Sequence, residues 1–271
     1  MARMPSKHSH VMPPGEILKK LYGFGYFGEK TWSQVRLIRG EELARAIREY
    51  QRFHGLEPDG RVDEATAHVL ERRRCGLPDF NFSSGDTVCK WPHKNITYRP
   101  DIKLPGISDE EAARAYDLAF AQWAAVCNIE PKRVETENEA NILARSGKGK
   151  KAGLDNRGGT LAWSELPCGV HERIQLEQMF DEAEQWSFNM AVAVICHELG
   201  HALGLPHLSN GNLMAPYYDP NVIEPQEGDI REIVDLYGKR KTPYAHYKKD
   251  ALEIGGRILI NGKPYILVPQ T

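Results

Sequence analysis

The stretch CHELGHALGLPH, Cys196 to His207, holds the residue types best suited to chemistry. His197 and His201 are four residues apart, so on a helix they share one face about one turn apart. Two neutral imidazoles in that arrangement can ligate one Zn²⁺. Glu198, beside the first histidine, is placed to act as base toward a water on the metal. Gly204 allows a sharp exit from the helix, because glycine tolerates positive φ at a helix end. His207 follows three residues later and can return as a third ligand. Three protein ligands plus one open position describe a catalytic zinc site rather than a structural one. A bare H-E-x-x-H also falls on ordinary helices; the further glycine and histidine set this stretch apart. The other histidines, at 8, 10, 54, 68, 93, 171 and 246, read as surface or packing residues.

The elements that must carry this site are legible in outline. Ser187 to Leu203 is a strong helix candidate, and NLMAPYY (Asn212–Tyr218) places Met214 seven residues after His207. Strand patterns lie at Asn95–Pro100, Ala140–Ser146 and Gly158–Glu165. A basic, glycine-containing loop spans Lys148–Asn156, and helix patterns lie at Asp109–Val126 and Asp229–Tyr237. This mixture predicts an α+β domain over residues 90–238. Upstream, Ile17, Leu18, Leu21 and Tyr22 recur at helical spacing, as do Leu43, Ile47, Tyr50 and Phe53. Asp63 can cap a further helix, which makes a small three-helix module. Residues 78–85 have linker composition. An Asn-Gly pair within Arg257–Val268 predicts a β-hairpin in the tail.

Composition narrows the function classes. The chain has 271 residues, 41% hydrophobic and 27% charged, which is a folding balance. Lys+Arg is 35 against Asp+Glu 37, a net charge of -2 that argues against a nucleic-acid binder. The apolar run Met190–Cys196 is far short of a membrane span. Residues 1–14 read as a flexible tail with no apolar segment of secretory type. Five cysteines at 75, 89, 127, 168 and 196 are an odd set, so at least one is free or pairs between chains.

The pattern H-E-x-x-H-x-x-G-x-x-H followed by a methionine is the metzincin signature with its Met-turn. On that motif and several others the sequence resembles the matrix metalloproteinases, or matrixins. RRRCGLPD (Arg72–Asp79) resembles the family's cysteine-switch motif. YGFGYF and AIREYQRFHGLEPDGRVDEAT are similar to its propeptide, which has a peptidoglycan-binding-like helical fold. KWPHKNITY resembles the start of the catalytic domain, GGTLAW its substrate-binding edge strand, and FDEAEQW the lead into the active-site helix. The resemblance covers residues 15–238. It implies a metzincin-type catalytic domain, a mixed sheet plus an active-site helix, at 90–238. A helical propeptide at 15–79, an activation linker at 80–89 and a C-terminal tail at 239–271 complete the layout.

The resemblance implies zinc-dependent hydrolysis of peptide bonds in protein substrates, with Glu198 catalytic and His197, His201 and His207 on one zinc. Cys75 would be the fourth ligand in a latent zymogen. A tethered thiolate is a soft zinc ligand at high effective concentration, able to displace the catalytic water. The remaining Cys89, Cys127, Cys168 and Cys196 could form two disulfides or stay buried thiols. Leu161 and Ala162 would pair with an extended substrate. Pro216 and Tyr218 would wall the pocket for the side chain after the scissile bond. Ala193, one turn before His197, makes that pocket deep. Asp155, Asp181 and Glu184 match a structural calcium site, completed by carbonyls near Asn156–Gly159, and oxygen ligands suit Ca²⁺. The family's second, structural zinc is expected to be absent. Trp163 and Met179 stand at its ligand positions, and SGKGKKAG has no His-x-Asp. Arg73 replaces the usual proline, no leader is visible and no haemopexin-like domain is expected after Gly238; the family nonetheless points to an extracellular setting. Two other readings stay open: a module at 35–75 that targets the enzyme to peptidoglycan, and an inactive zinc-binding scaffold. The complete Glu198 and histidine set argues against the scaffold.

Overall fold

The structure is a computed structural model. It describes residues 12–80, 89–155, 157–168, 174–242 and 244, and the backbone of 258–260 and 263–265. The expected tail at 1–14 lies outside the described residues up to residue 11, as does the expected linker over 81–88. The described residues form two compact units: the helices up to residue 72 with 78–80, and 73–77 with the elements from 89 onward.

The first unit is helical: α1 (Pro14–Gly23), α2 (Trp32–Val35), α3 (Gly40–Phe53) and α4 (Glu64–Leu70). Leu18, Leu21, Val35, Ile47, Tyr50 and Leu70 close its core. Asp63 caps α4 as its position predicts, accepting a bond from the Thr66 N–H at 2.8 Å. The four-residue α2 is an addition to the three expected helices; one turn is too short to display a period. The buried Asp79 also belongs here, accepting from the Tyr26 hydroxyl at 2.8 Å.

The second unit contains β1 (Arg74–Cys75), β2 (Asn95–Asp101), α5 (Asp109–Val126), β3 (Glu130–Arg133), β4 (Ile142–Gly147), β5 (Thr160–Ser164), β6 (Leu176–Asp181), α6 (Phe188–Ala202) and α7 (Glu227–Tyr237). The sheet order is β1-β5-β6-β4-β2-β3. β5 runs antiparallel to β6, and the other pairings are parallel. α5 starts at a capping box in which Ser108 Oγ accepts from the Glu111 N–H at 3.2 Å. It packs on α6, and the Trp123 indole donates to the Cys196 carbonyl at 2.8 Å. Tyr116, Phe120, Trp123, Ile195 and Leu199 of these helices share one core with Ile96, Ile142, Leu176 and Phe180 of the sheet.

Three strands go beyond the sequence patterns: β1, whose two residues are too few to show alternation, β3 and β6. β3 reads EPKR, with no large apolar residue and a proline, which a sheet tolerates at the edge that β3 occupies. β6 overlaps FDEAEQW, expected only as a lead into the helix; its alternating burial becomes visible once β4 and β5 flank it. The cysteines follow neither simple alternative. Cys89 and Cys168 form a disulfide, while Cys75, Cys127 and Cys196 are buried free thiols. In the tail, β7 (Ile258–Ile260) and β8 (Lys263–Tyr265) pair antiparallel with Ile260 opposite Lys263; the Asn261–Gly262 turn lies outside the described residues. Among the described residues no helix is long and apolar enough to cross a membrane.

Candidate metal centre

The Ser187 hydroxyl caps α6 by accepting from the Met190 N–H at 3.3 Å. From that start the helix carries His197, Glu198 and His201 into the interior, where all are buried. Gly204 has φ +108°, and a Cβ there would run into the Cys89 carbonyl, so only glycine makes the exit. The chain then brings the buried His207 back to the other two imidazoles, with ring centroids 4.7, 4.8 and 5.4 Å apart. The backbone sets the tautomers. His197 Nδ1–H donates to the Leu213 carbonyl at 2.8 Å, and His201 Nδ1–H to the Leu205 carbonyl at 2.7 Å. Each ring therefore turns an Nε2 lone pair inward, the orientation that carbonyls bonded to the far ring nitrogen impose on metal-bound histidines. Those two Nε2 atoms lie 3.0 Å apart.

Cys75 completes the cluster: ligand atoms of Cys75, His197, His201 and His207 lie within 4.8 Å of one another. Tetrahedral N and S ligands of a single zinc stand roughly 3.3–3.8 Å apart. The donor set and its tautomers fit zinc, and separations from 3.0 Å to at most 4.8 Å bracket that spacing. Burial pushes His197 down to about 3 and His201 well below its usual range, with neighbouring imidazoles adding to both. Both rings are held neutral, the form that ligates. Burial pushes the Glu198 carboxyl up to about 8, and burial with the Glu198 charge pushes the Cys75 thiol up. A dication reverses this logic, because it favours the thiolate and the carboxylate.

β1 lays Cys75 onto the site. It runs parallel to β5: the Arg74 N–H donates to the Gly159 carbonyl at 3.1 Å, and the Gly76 N–H to the Ala162 carbonyl at 2.7 Å. On its other side the Cys75 N–H donates to the Pro216 carbonyl at 2.8 Å, and the Tyr218 N–H to the Arg73 carbonyl at 3.0 Å. The thiol stands 3.6 Å from Glu198 Oε2 and accepts from the Leu77 N–H at 3.3 Å. The other Glu198 oxygen, Oε1, is buried without a hydrogen bond.

Two supporting residues escaped the sequence reading. Asp229, on α7, accepts from the N–H groups of Leu213 at 2.7 Å, Met214 at 3.0 Å and Gln226 at 2.7 Å. It fixes the turn whose Leu213 carbonyl orients His197. Burial pushes its carboxyl up, and the three N–H groups pull against that. Gly200 faces Met214 and Trp123, and a Cβ there would run into the Met214 sulfur. A buried carboxylate near a helix start and a glycine inside a helix are the only sequence traces of these roles.

The remaining candidates fall into three places. Leu161, Ala193, Pro216 and Tyr218 line one pocket beside His197 and Glu198, and Asn212 and Asp219 also face it. Ala162 is buried on β5 and bonds to β1 rather than lining that pocket. Asp155, Asp181 and Glu184 gather at the far end of β5 and β6. Asp155 Oδ1 accepts from the Thr160 N–H at 2.7 Å, and Glu184 Oε1 accepts from the Gly158 N–H. Asp181 is buried, and its Oδ2 has no hydrogen bond. Burial pushes its carboxyl up, and the Glu184 and Asp155 charges add to the shift. These carboxylates are spread more widely than the thiol–imidazole cluster, the one such group within 4.8 Å among the described residues. The carbonyl of Asn156 lies outside the described residues. Trp163 pairs across the sheet with Met179, and its indole donates to the Ala152 carbonyl at 2.7 Å.

Residues 90–238 match the matrixin family, and residues 16–70 match a peptidoglycan binding domain family. The chain is 31% identical to matrix metalloproteinase-20 of Homo sapiens over 258 residues, 87% of this chain and 52% of the relative. It is 34% identical to a macrophage metalloelastase of Oryctolagus cuniculus over 245 residues, 86% of this chain and 52% of the relative. It is 32% identical to an interstitial collagenase of Sus scrofa over 213 residues, 74% and 44% respectively. The chain spans about half the length of the curated relatives it matches.

Proposed function

The chain belongs to the matrixin family, and from that premise we propose that it is a zinc endopeptidase held latent by Cys75. One observation carries the reading: a free thiol on β1 and three convergent imidazoles lie within 4.8 Å, beside the Glu198 carboxylate. We assign residues 15–79 as propeptide, 80–89 as activation linker and 90–238 as catalytic domain.

His197, His201 and His207 would hold the zinc. When bound, zinc supplies a Lewis acid for the scissile carbonyl and brings the acidity of a water toward neutral. Glu198 accepts the proton of the attacking water and passes it to the leaving amine. The β1 segment uses the Ala162 carbonyl that an extended substrate would use on the edge strand, so docked β1 and substrate exclude each other. Leu161 and Ala162 would align the substrate. Leu161, Ala193, Pro216 and Tyr218 would receive the side chain after the scissile bond. Ala193→Leu should shift cleavage toward small side chains at that position, read from a peptide library.

We assign calcium to Asp155, Asp181 and Glu184, which the buried, unbonded Asp181 Oδ2 supports. A second zinc is not expected, because Trp163 and Met179 pack where its ligands would stand. Bound metal per chain should be one zinc plus calcium; two tightly held zinc ions would refute this. The Cys89–Cys168 disulfide supports an extracellular, oxidising setting. The peptidoglycan binding match supports a second reading for the first unit, as a cell-wall anchor. Sedimentation of the intact chain with purified cell walls tests it.

The central test compares intact protein and Cys75→Ala on quenched peptides, with and without a zinc chelator. Chelator-sensitive cleavage at least tenfold faster in Cys75→Ala is expected. Equal rates would remove the latency, and no cleavage by either zinc-loaded protein would favour a scaffold.

A further inference from the structure

Arg73 directly precedes β1 and lies within the second unit. Its Nη1 lies 3.4 Å from Glu184 Oε2. The arginine is 39% exposed and the glutamate 1%, so the pair is anchored on the buried side. The guanidinium stands over the Tyr218 ring at 5.7 Å, and the backbone carbonyl of the same residue accepts from the Tyr218 N–H at 3.0 Å. Arg73 therefore joins the docked strand to a pocket wall and to an acidic cluster at once. In that cluster, Glu184 Oε1 is taken by the Gly158 N–H, which leaves Oε2 to Arg73. Asp181 uses Oδ1 to accept from the Ala183 N–H at 2.7 Å, while its buried Oδ2 has no hydrogen bond. A hard divalent cation takes carboxylate oxygens such as these. It would need Glu184 Oε2 or would repel the guanidinium bonded to it.

We propose that Arg73 is an electrostatic latch on the inhibitory strand, and that a divalent cation at Asp155, Asp181 and Glu184 competes with it for the Glu184 carboxylate. The proposal rests on the latent-zymogen reading above and on the calcium assignment. Because coupling between two binding events is reciprocal, calcium loosens β1, and loss of β1 tightens calcium. Calcium then primes the switch, and Arg73 keeps the chain closed where calcium is scarce. Arg73 is a positioning residue; it touches neither the imidazole cluster nor Glu198 by any bond described.

The test uses the full chain and needs no peptidase activity. Cys75 alkylation by iodoacetamide is followed by mass spectrometry of its peptide, with calcium chloride added at constant ionic strength to hold screening fixed. In the wild type, saturating calcium should speed labelling about tenfold, the scale of one charged contact. Arg73→Gln should label about tenfold faster without calcium and respond little to it. Arg73→Lys, which keeps the charge, should stay near the wild type. By calorimetry, Arg73→Gln should bind calcium tighter by about the factor gained in labelling. Protection of Cys75 that is equal in wild type and Arg73→Gln, or slowed labelling on adding calcium, overturns the latch and leaves the zymogen reading intact. Labelling of the calcium-free wild type as fast as a denatured control overturns both.

Discussion

Asp229 reaches the imidazole cluster through two steps of backbone. It holds the Leu213 and Met214 N–H groups, and the Leu213 carbonyl holds His197 Nδ1–H. Removing it leaves buried N–H donors without partners and lets the His197 ring turn, and losing such support behind a metal-binding histidine costs about 10–100-fold in metal affinity. Asp229→Ala should weaken zinc binding by about that factor in a chelator competition, even where the variant stays folded. Gly200 makes a different demand, for space. A methyl there meets the Met214 sulfur and the Trp123 ring. Gly200→Ala should lower unfolding stability by about 1–3 kcal/mol, the usual cost of overpacking, read from denaturant titration. Neither residue belongs to the zinc motif by type. In the sequence, Asp229 is one acid at the start of a helix pattern and Gly200 one glycine inside another, with no further signal at either position.

At the scale of elements, β5 bears on most of the site's features. One edge pairs with β6, and the other takes β1. Leu161 faces the pocket, while Trp163 reaches the loop that holds Gly149–Gly153. The loop carries the exposed Lys148, Lys150 and Lys151, and its fixed partners include the Trp163 indole bond to Ala152. A Cβ on Gly153 would crowd the same indole. Trp163→Ala should free this loop: trypsin should cut after Lys150 or Lys151 several times faster, with zinc content unchanged. Equal cutting rates would show that the loop is held from elsewhere. β2 is legible from the alternation of Ile96 and Tyr98, while β4 reads as a short buried run and β5 follows GGTLAWSE without strict alternation. β3 is not legible, since EPKR carries no apolar signal and owes its conformation to pairing with β2.

For the whole molecule, the covalent constraint is the Cys89–Cys168 disulfide, across a sequence separation of 79. It ties the strand of chain that packs on Gly204 to the segment after β5. Closing a loop of that size is worth about 2–4 kcal/mol through the unfolded state. Mild reduction, with Cys127 and Cys196 kept inside, should lower the unfolding midpoint of the second unit by that equivalent. The helical unit, which has its own core and no cysteine among its buried residues, should be unmoved. Metal removal should act on the same unit, because the zinc ligands come from α6, the turn after it and β1.

What the sequence alone determined about this protein is local. The i,i+4 histidines, the glycine exit, the Asp63 cap and the apolar faces of α3 and α5 depend on residues within a few positions of one another, so spacing is enough to read them. The tertiary structure decided what depends on distant segments. It chose Cys168 for Cys89 and left Cys127 and Cys196 as thiols. It set β6 between β4 and β5, placed Asp229 behind His197, and met Arg73 with Glu184 across 111 positions. Helix periods and caps are short-range consequences of backbone geometry. These pairings are set by packing across the whole core, where no sequence interval records which surfaces will touch.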